Sequence, residues 1–551
     1  MSRALTAKTT LDHLRKDAKR WLKAVRAGDP AARARLKSAW PAAPAEPGLR
    51  DIQQALAREY GQENWIALKA ALDDLALARK GRDEQIELAL RSGWDGDVRA
   101  ARRLLQRRPE LAQASLHMAA ICGDLSEVER RLAKESVDAR AGPLGWTPLT
   151  CVTYGRLDET SAVAIAKRLL EAGADPNAGF NDGWDSPFKV LTGAIRLGEG
   201  ARPSHAQVDE LVALLVEAGA DPFDPQALYN VSIVGDDTDW YDRLWGYCAK
   251  GGVLDRWRQP TLGLGGKKGL TAIDYLLCNA IGQWQPGRAE WLLEHGADPN
   301  VQHWEMDQSL HLMAQLSGLR ELTTLLERYG ARPAVLNDVQ ALQAASMSGD
   351  LEAIRQLLAK DPSLIERPEA LHYTVGRGNL AAFDLLVSLG ARTDHLEHDG
   401  ISPLHRAVQT GSIELAQRLL DRGADVDLRE RRWHGTPMSW AVVLNQPHMA
   451  DFLAPFSHDV RPFAYQARLE RLEAALTDQP WRANERLPGD GPTPLYCLPD
   501  DEEMAVEVAR ILLAHGADPT VRSDKGQTPA DAARVRGLDD AAALMDCRHA
   551  R

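Results

Sequence analysis

At 551 residues the chain is several times longer than the ~100–200 residues of one ordinary domain, so it holds either several cores or one unit repeated many times. Apolar residues make up 44% and charged residues 26%, a balance that excludes wholesale disorder. The formal net charge is −12; a long acidic body repels phosphate backbones, which argues against nucleic acid and for a neutral or basic partner. The opening residues, MSRALTAKTTLDHLRKD, lack the apolar run of a secretory signal. No stretch approaches the ~18 uninterrupted apolar residues of a membrane span, so a cytoplasmic location without a membrane span is expected. Six cysteines, Cys122, Cys151, Cys248, Cys278, Cys497 and Cys547, have neither CxxC nor CxxH spacing. They are expected to be reduced and mostly buried, in neither a zinc site nor a disulfide framework.

Residues 1–80 form a segment of their own, with 16 Lys and Arg against 9 Asp and Glu, a net of +7 that leaves −19 for the remainder. TTLDHLRKDAKRWLKAVRAG predicts an amphipathic helix ended by Gly28. DPAARARLKSAW then opens a second helix with Asp29 as its cap and Pro30 in its first turn. PAAPAEP interrupts the chain, and LRDIQQALAREYG and ENWIALKAAL predict two more short helices. One role for this segment is a polar cap over whatever follows; a basic arm for nucleic acid or an anionic membrane surface is another.

From about residue 81 onwards two signatures alternate. The first is TPLT at Thr147, SPFK at Ser186, TAID at Thr271, SLHL at Ser309, SPLH at Ser402, TPMS at Thr436, TPLY at Thr493 and TPAD at Thr528. The second is GADP or a close variant, ending at Asn177, Phe223, Asn300, Asp427 and Thr520. A Ser or Thr oxygen serves the free amides of a helix start, and Pro fits the first helical position because its missing N–H would have no partner there. In the unit from Ile401, helix PLHRAVQT closes at Gly411. A second helix then sets Ile413, Leu415, Leu419 and Leu420 on one side and closes at Gly423. Gly390 to Gly423 is 33 residues, and about fourteen such units are expected, several of them degenerate. Irregular ones fall around 140–300 and 455–490, including 225–252 and 461–485, and the insertion 196–207 should lie between two helices and cross no core.

In period and signature the chain resembles the ankyrin-repeat family, which implies an all-α solenoid of stacked helix-turn-helix units over 81–551. Residues 1–80 then form a small helical N-terminal cap that looks like the segment found ahead of bacterial arrays. The resemblance further implies that His117, His311, His372 and His405 make structural hydrogen bonds from one turn to the next. It also implies a protein partner, taken up by the groove and by finger-like turns.

No catalytic motif stands out, and neither a cofactor nor a metal is expected. GLGGKKGLT (263–271) lacks the spacing of a phosphate loop and reads as a turn. His395 and His398, beside Asp394 and Asp399, have no third fixed ligand, and GDDTDW (235–240) reads as a solvated turn rather than a calcium loop. Tryptophan is unusually abundant, at 15 against 10 Tyr and 7 Phe. Trp65, Trp245 and Trp291 lie on apolar helix faces, whereas Trp146, Trp184, Trp304 and Trp433 sit in the turns ahead of helix starts. Tryptophan is enriched at binding hot spots, so these four are candidate partner contacts, with Arg432, Tyr154, Lys267, Lys268 and His398 beside them. The reading is a non-enzymatic protein-binding scaffold. The alternative is an enzyme or small-ligand binder with a pocket in the irregular units near 140–300, and a third reading is a membrane-surface adaptor acting through residues 1–30.

Overall fold

In the computed structural model of the chain, Thr147, Thr271, Ser402, Thr436 and Thr528 each accept a hydrogen bond from the backbone N–H three residues on, opening a helix. Residues 3–6, 9–95, 98–198, 203–397, 399–487 and 491–549 are described. The chain divides into two units, Met1–Ala314 with Glu321–Ala334, and Gln315–Arg320 with Val335–Arg551. The fold is the all-α ankyrin-repeat solenoid expected, and among the described residues fourteen helical units follow one another from Arg82. Thirteen are pairs of α-helices; in the other, the first helix shrinks to the 3-10 turn Pro494–Tyr496 ahead of Glu502–Ala514.

The unit from Ile401 shows how each is built. Helix Pro403–Thr410 ends on Gly411, whose φ of 71° is left-handed, and helix Ile413–Leu420 follows. Leu404, Val408, Leu415 and Leu419 are fully buried, each contributing about 1.5–3 kcal/mol on leaving water. Ile413, expected on the buried side, is 39% exposed. In the second unit one apolar cluster runs continuously from Leu342 to Met545.

Polar stitches join consecutive units. Asn177 donates to Gly219 O (2.9 Å) and accepts from Asp221 N (2.8 Å). Asn300 does the same with Gly330 O and Arg332 N, as does Asn484 with Gly516 O and Asp518 N. The histidines act similarly. His117, His372 and His405 meet the carbonyls of Ala139, His395 and Gly435 at 2.7, 2.9 and 3.1 Å, whereas His311 meets the Glu327 carboxylate and Ala334 N.

Between 427 and 497 charge takes over part of the core's role. Asp459 is fully buried and accepts from Thr436 Oγ1 (2.7 Å), Ser439 Oγ (3.0 Å) and Arg429 Nη2 (3.1 Å). Arg429 and Arg461 both reach Glu485. The Arg429 guanidinium holds the Asp459 carboxyl below the usual range although burial opposes it.

Residues 11–79 form four helices around their own core, which includes Leu14, Trp21, Ile52, Leu56 and Leu68. Buried Asp74 pairs with Arg103 and Arg107 and so ties this segment to the first helical pair.

Two expectations are corrected. Ser186 caps no helix: residues 188–189 form a short strand paired with 179–180, and the helix begins at Val190. The insertion at 196 is not wholly peripheral, since the Arg196 side chain is buried, donates to Gly93 O (2.7 Å) and lies over the Trp94 ring. The turn at 235–240 is largely exposed, as expected, and it also acts as a clamp: Asp236 accepts the backbone N–H groups of Gly287 and Arg288 (both 3.0 Å) at the start of a helix in the next unit.

Burial pushes the His405 imidazole down to about 4 from 6.5, against the opposing hydrogen bond to Gly435. The folded ring stays neutral where the unfolded ring takes up a proton, so its contribution is complete above pH 6.5 and is lost as pH falls toward about 4. From about pH 7 to about pH 5 this ring alone should remove about 2 kcal/mol of stability. Urea unfolding of wild type and His405→Gln at both pH values measures it; an identical pH dependence in the two proteins contradicts the assignment.

Candidate functional site

Three turns of the first unit converge on one recess. The first is the hairpin joining 179–180 to 188–189, which carries Trp184. The second runs between Pro260 and Thr271 and carries Lys267 and Lys268, and the third runs between Gln302 and Ser309 and carries Trp304. The middle turn depends on glycine: Gly265 has a φ of 73°, and a Cβ at Gly266 would lie 2.6 Å from the Thr261 backbone. The expected turn at 263–271 is therefore present, and it lifts the two lysines to the rim.

The recess has a volume of about 470 Å³. Its rim holds Trp184, 50% exposed, and Trp304, 36% exposed. Behind them stand Tyr229, from helix Pro225–Ser232, and Tyr275, from helix Ala272–Gly282. Trp184 and Tyr229 lie 6.4 Å apart and Tyr275 and Trp304 5.9 Å apart, centroid to centroid. Lys267 Nζ pairs with Asp185 at 2.5 Å, and Lys268 is exposed with no ion pair among the described residues.

A second recess of about 240 Å³ adjoins the first, sharing Trp184, Gln226 and Tyr229 and adding Trp94, Phe188 and Arg196. A polar relay runs along the shared wall. Ser186 Oγ donates to Gln226 Oε1 (2.6 Å), Gln226 Nε2 to Asn230 Oδ1 (3.0 Å), and Asn230 Nδ2 to Arg196 O (2.8 Å). The relay holds Arg196 in its left-handed conformation, φ 52°, which a side-chain-bearing residue adopts only when its surroundings impose it. The ring walls give the recesses a shape and polarity that suit a ring or an apolar side chain.

The candidate residues divide into three groups. Trp184, Trp304, Lys267 and Lys268 come together at the recess. Trp146 and Tyr154 are corrected: they are 3% and 0% exposed and pack with Phe180 in a ring cluster, centroids 5.2–5.6 Å apart. Trp146 folds back beneath its turn, whereas Tyr154, whose Oη donates to Lys189 O (2.9 Å), stands in the inner wall of the smaller recess. Arg432 and Trp433 form a separate patch on the second unit, the guanidinium 4.7 Å from the ring and Trp433 62% exposed. Their turn is pinned by buried Glu430, which accepts from the backbone N–H groups of Arg432 (2.6 Å), Trp433 (2.9 Å) and Gly435 (2.9 Å). His398 lies outside the described residues. Sequence reasoning missed Tyr229, Tyr275, Trp94 and Arg196. For Tyr275 a signal existed, since it stands one helical turn after the capping Thr271, the position that faces the fingers.

Among the described residues no group of three or more His, Cys, Asp or Glu is placed to hold a metal ion, and no helix is long and apolar enough to cross a membrane.

Residues 342–430 and 371–464 match the family model of ankyrin repeats. The chain is 30% identical over 135 residues to a transient receptor potential cation channel subfamily A member 1 homolog of Caenorhabditis elegans, covering 23% of this chain and 11% of that protein. It is 34% identical over 96 residues to a putative ankyrin repeat protein of fowlpox virus, covering 17% and 28%, and 26% identical over 187 residues to mouse Rabankyrin-5, covering 28% and 16%. The chain thus spans less than a third of the length of each of these relatives. An ankyrin repeat domain from Acinetobacter baumannii is similar at 19% identity, with a TM-score of 0.25, over 32% of this chain and 97% of that one.

Glu430→Ala removes the acceptor for three backbone amides and should loosen the turn that carries Arg431 and Arg432. Trypsin should then cut there several-fold faster than in wild type, as followed by mass spectrometry of the early fragments. Unchanged cleavage would show that the carboxylate does not hold the turn.

Proposed function

We propose that the chain is a non-enzymatic protein-binding adaptor whose partner docks at the recess between the turns at 179–189, 260–271 and 302–309. Ankyrin repeats generally mediate protein–protein interaction. The observation that carries the reading is the pair of half-exposed tryptophans, Trp184 and Trp304, each backed by a tyrosine and set at the mouth of one cavity. Exposed aromatic rings already held in place give up little freedom on binding, which makes them effective anchors. The patch of Arg432 and Trp433 is a second contact of the same kind on the other unit. We place the protein in the cytoplasm because Cys122, Cys151, Cys248, Cys278 and Cys497 are free thiols, as a reducing compartment would keep them. The acidic balance of the whole chain favours a partner that is neutral or basic overall. The four-helix segment at 11–79 acts as a cap of the kind found ahead of bacterial arrays, a role supported by its own core and by its Asp74 anchor.

A second reading, a small-ligand binder, draws on the adjoining recess with its ring walls and amide relay. The two separate by experiment. With a photo-crosslinking phenylalanine analogue at position 304, the adaptor gives a covalent protein adduct in its native cytoplasm, and the same analogue at exposed position 335 does not. Trp184→Ala with Trp304→Ala should weaken capture of that same protein by at least ~30-fold, since a hot-spot ring contributes about 2 kcal/mol or more. Equal adducts from both positions, or undiminished capture by the double variant, would remove the recess from the interface.

A further inference from the structure

The adjoining recesses carry a charge opposite to that of the chain. The whole sequence has a formal net charge of −12, yet among the described residues the exposed charged side chains lining the two recesses are Lys267 and Lys268 against Asp185. Asp185 is occupied by Lys267, and Lys268, on the same glycine-built turn, is exposed and unpaired among the described residues. Arg196 is fixed behind them, its Nη1 on Gly93 O and its guanidinium over Trp94. A cation ligand is therefore disfavoured despite the abundant rings, because the nearest full charges repel it. A nucleic acid is disfavoured as well, since the surrounding acidic body repels an extended run of phosphates. Lys268, the exposed lysine left without an ion pair among the described residues, suits a carboxylate. The walls suit a ring or a bulky apolar side chain, because Trp94, Phe188, Trp184 and Tyr229 enclose the smaller recess.

Resting on the adaptor reading above, we propose that the partner enters as a short acidic segment, with an aromatic or large apolar side chain seated between Trp94, Phe188 and Trp184 and a carboxylate of the same segment meeting Lys268. The carboxylate sets direction and register, and the ring supplies most of the affinity. A rim charge of this kind contributes modestly and is screened by salt.

The test is a phage-displayed library of random short peptides panned on the full chain, with Trp184→Ala, Lys268→Ala and Lys268→Glu chains alongside and folding checked by far-UV circular dichroism. The expected peptides combine an aromatic residue with a nearby Asp or Glu and lose binding on Trp184→Ala. They weaken up to about fivefold on Lys268→Ala and further on Lys268→Glu, and bind less well in high salt. Peptides that need Trp184 but carry no acidic residue, or that bind Lys268→Glu as well as wild type, would overturn the acidic segment while leaving the docking site standing. Peptides indifferent to Trp184→Ala, or no enrichment at all, would overturn the docking site and this inference with it. Displacement of Trp184-dependent peptides by a DNA duplex would overturn the inference in favour of nucleic acid.

Discussion

A helix of eight residues, such as Ile413–Leu420, is too short to persist alone in water, because nucleating it fixes more backbone than its few hydrogen bonds repay. Each unit therefore depends on the next to cover its apolar side, and every other feature of the chain follows from that dependence. The apolar contribution is nondirectional and would tolerate sliding. Register comes instead from paired polar contacts of fixed geometry: Asn177, Asn300 and Asn484 each give one hydrogen bond to the following turn and receive one from it. Asp236 does similar work where the repeat is irregular.

The recess exists because one unit departs from this pattern. Ser186 does not cap a helix, so residues 188–189 pair with 179–180 and the turn carrying Trp184 extends as a hairpin. The freed Ser186 hydroxyl turns to Gln226 instead and begins the relay that ends at Arg196 O. Departure from the consensus thus removes a standard cap and creates an ordered wall at the same place. In the second unit the irregular stretch is resolved differently, with Asp459, Arg429 and Glu485 filling the space in charge-paired form. Removing one member of such a set leaves its partners charged and buried, which is why buried networks of this kind are all-or-none.

The array was legible in the sequence because its signals are local. A Thr or Ser oxygen three residues before an amide, and a glycine at a helix end, act through the nearest atoms, and neighbouring units repeat them. Thr436 and Gly411 behave as their positions require. The site was half legible. Trp184, Trp304, Lys267 and Lys268 share a position in the repeat, so the period alone brings them near one another. Trp146 shares it too, yet it is buried, because Phe180 and Tyr154 offer its ring a larger apolar surface than water does. Arg196 was unreadable for the opposite reason: its place depends on Gly93, more than a hundred residues earlier in the chain, and no local pattern encodes so distant a contact.

The two electrostatic scales of the molecule act on different steps of an encounter. At separations beyond a Debye length, about 8 Å at physiological salt, an approaching molecule responds to the acidic body. At contact it meets Lys268, exposed on its turn. On the adaptor reading proposed above, a partner neutral or basic overall that carries one short acidic stretch suits both, whereas a uniformly acidic molecule would meet repulsion before contact. Opposed long-range and short-range preferences of this kind narrow the set of acceptable partners more than either alone, without any increase in buried area. The rigid walls strengthen the effect: Gln226, Asn230 and Arg196 are already hydrogen-bonded to one another before anything binds, so the recess does not reshape itself to forgive a mismatch.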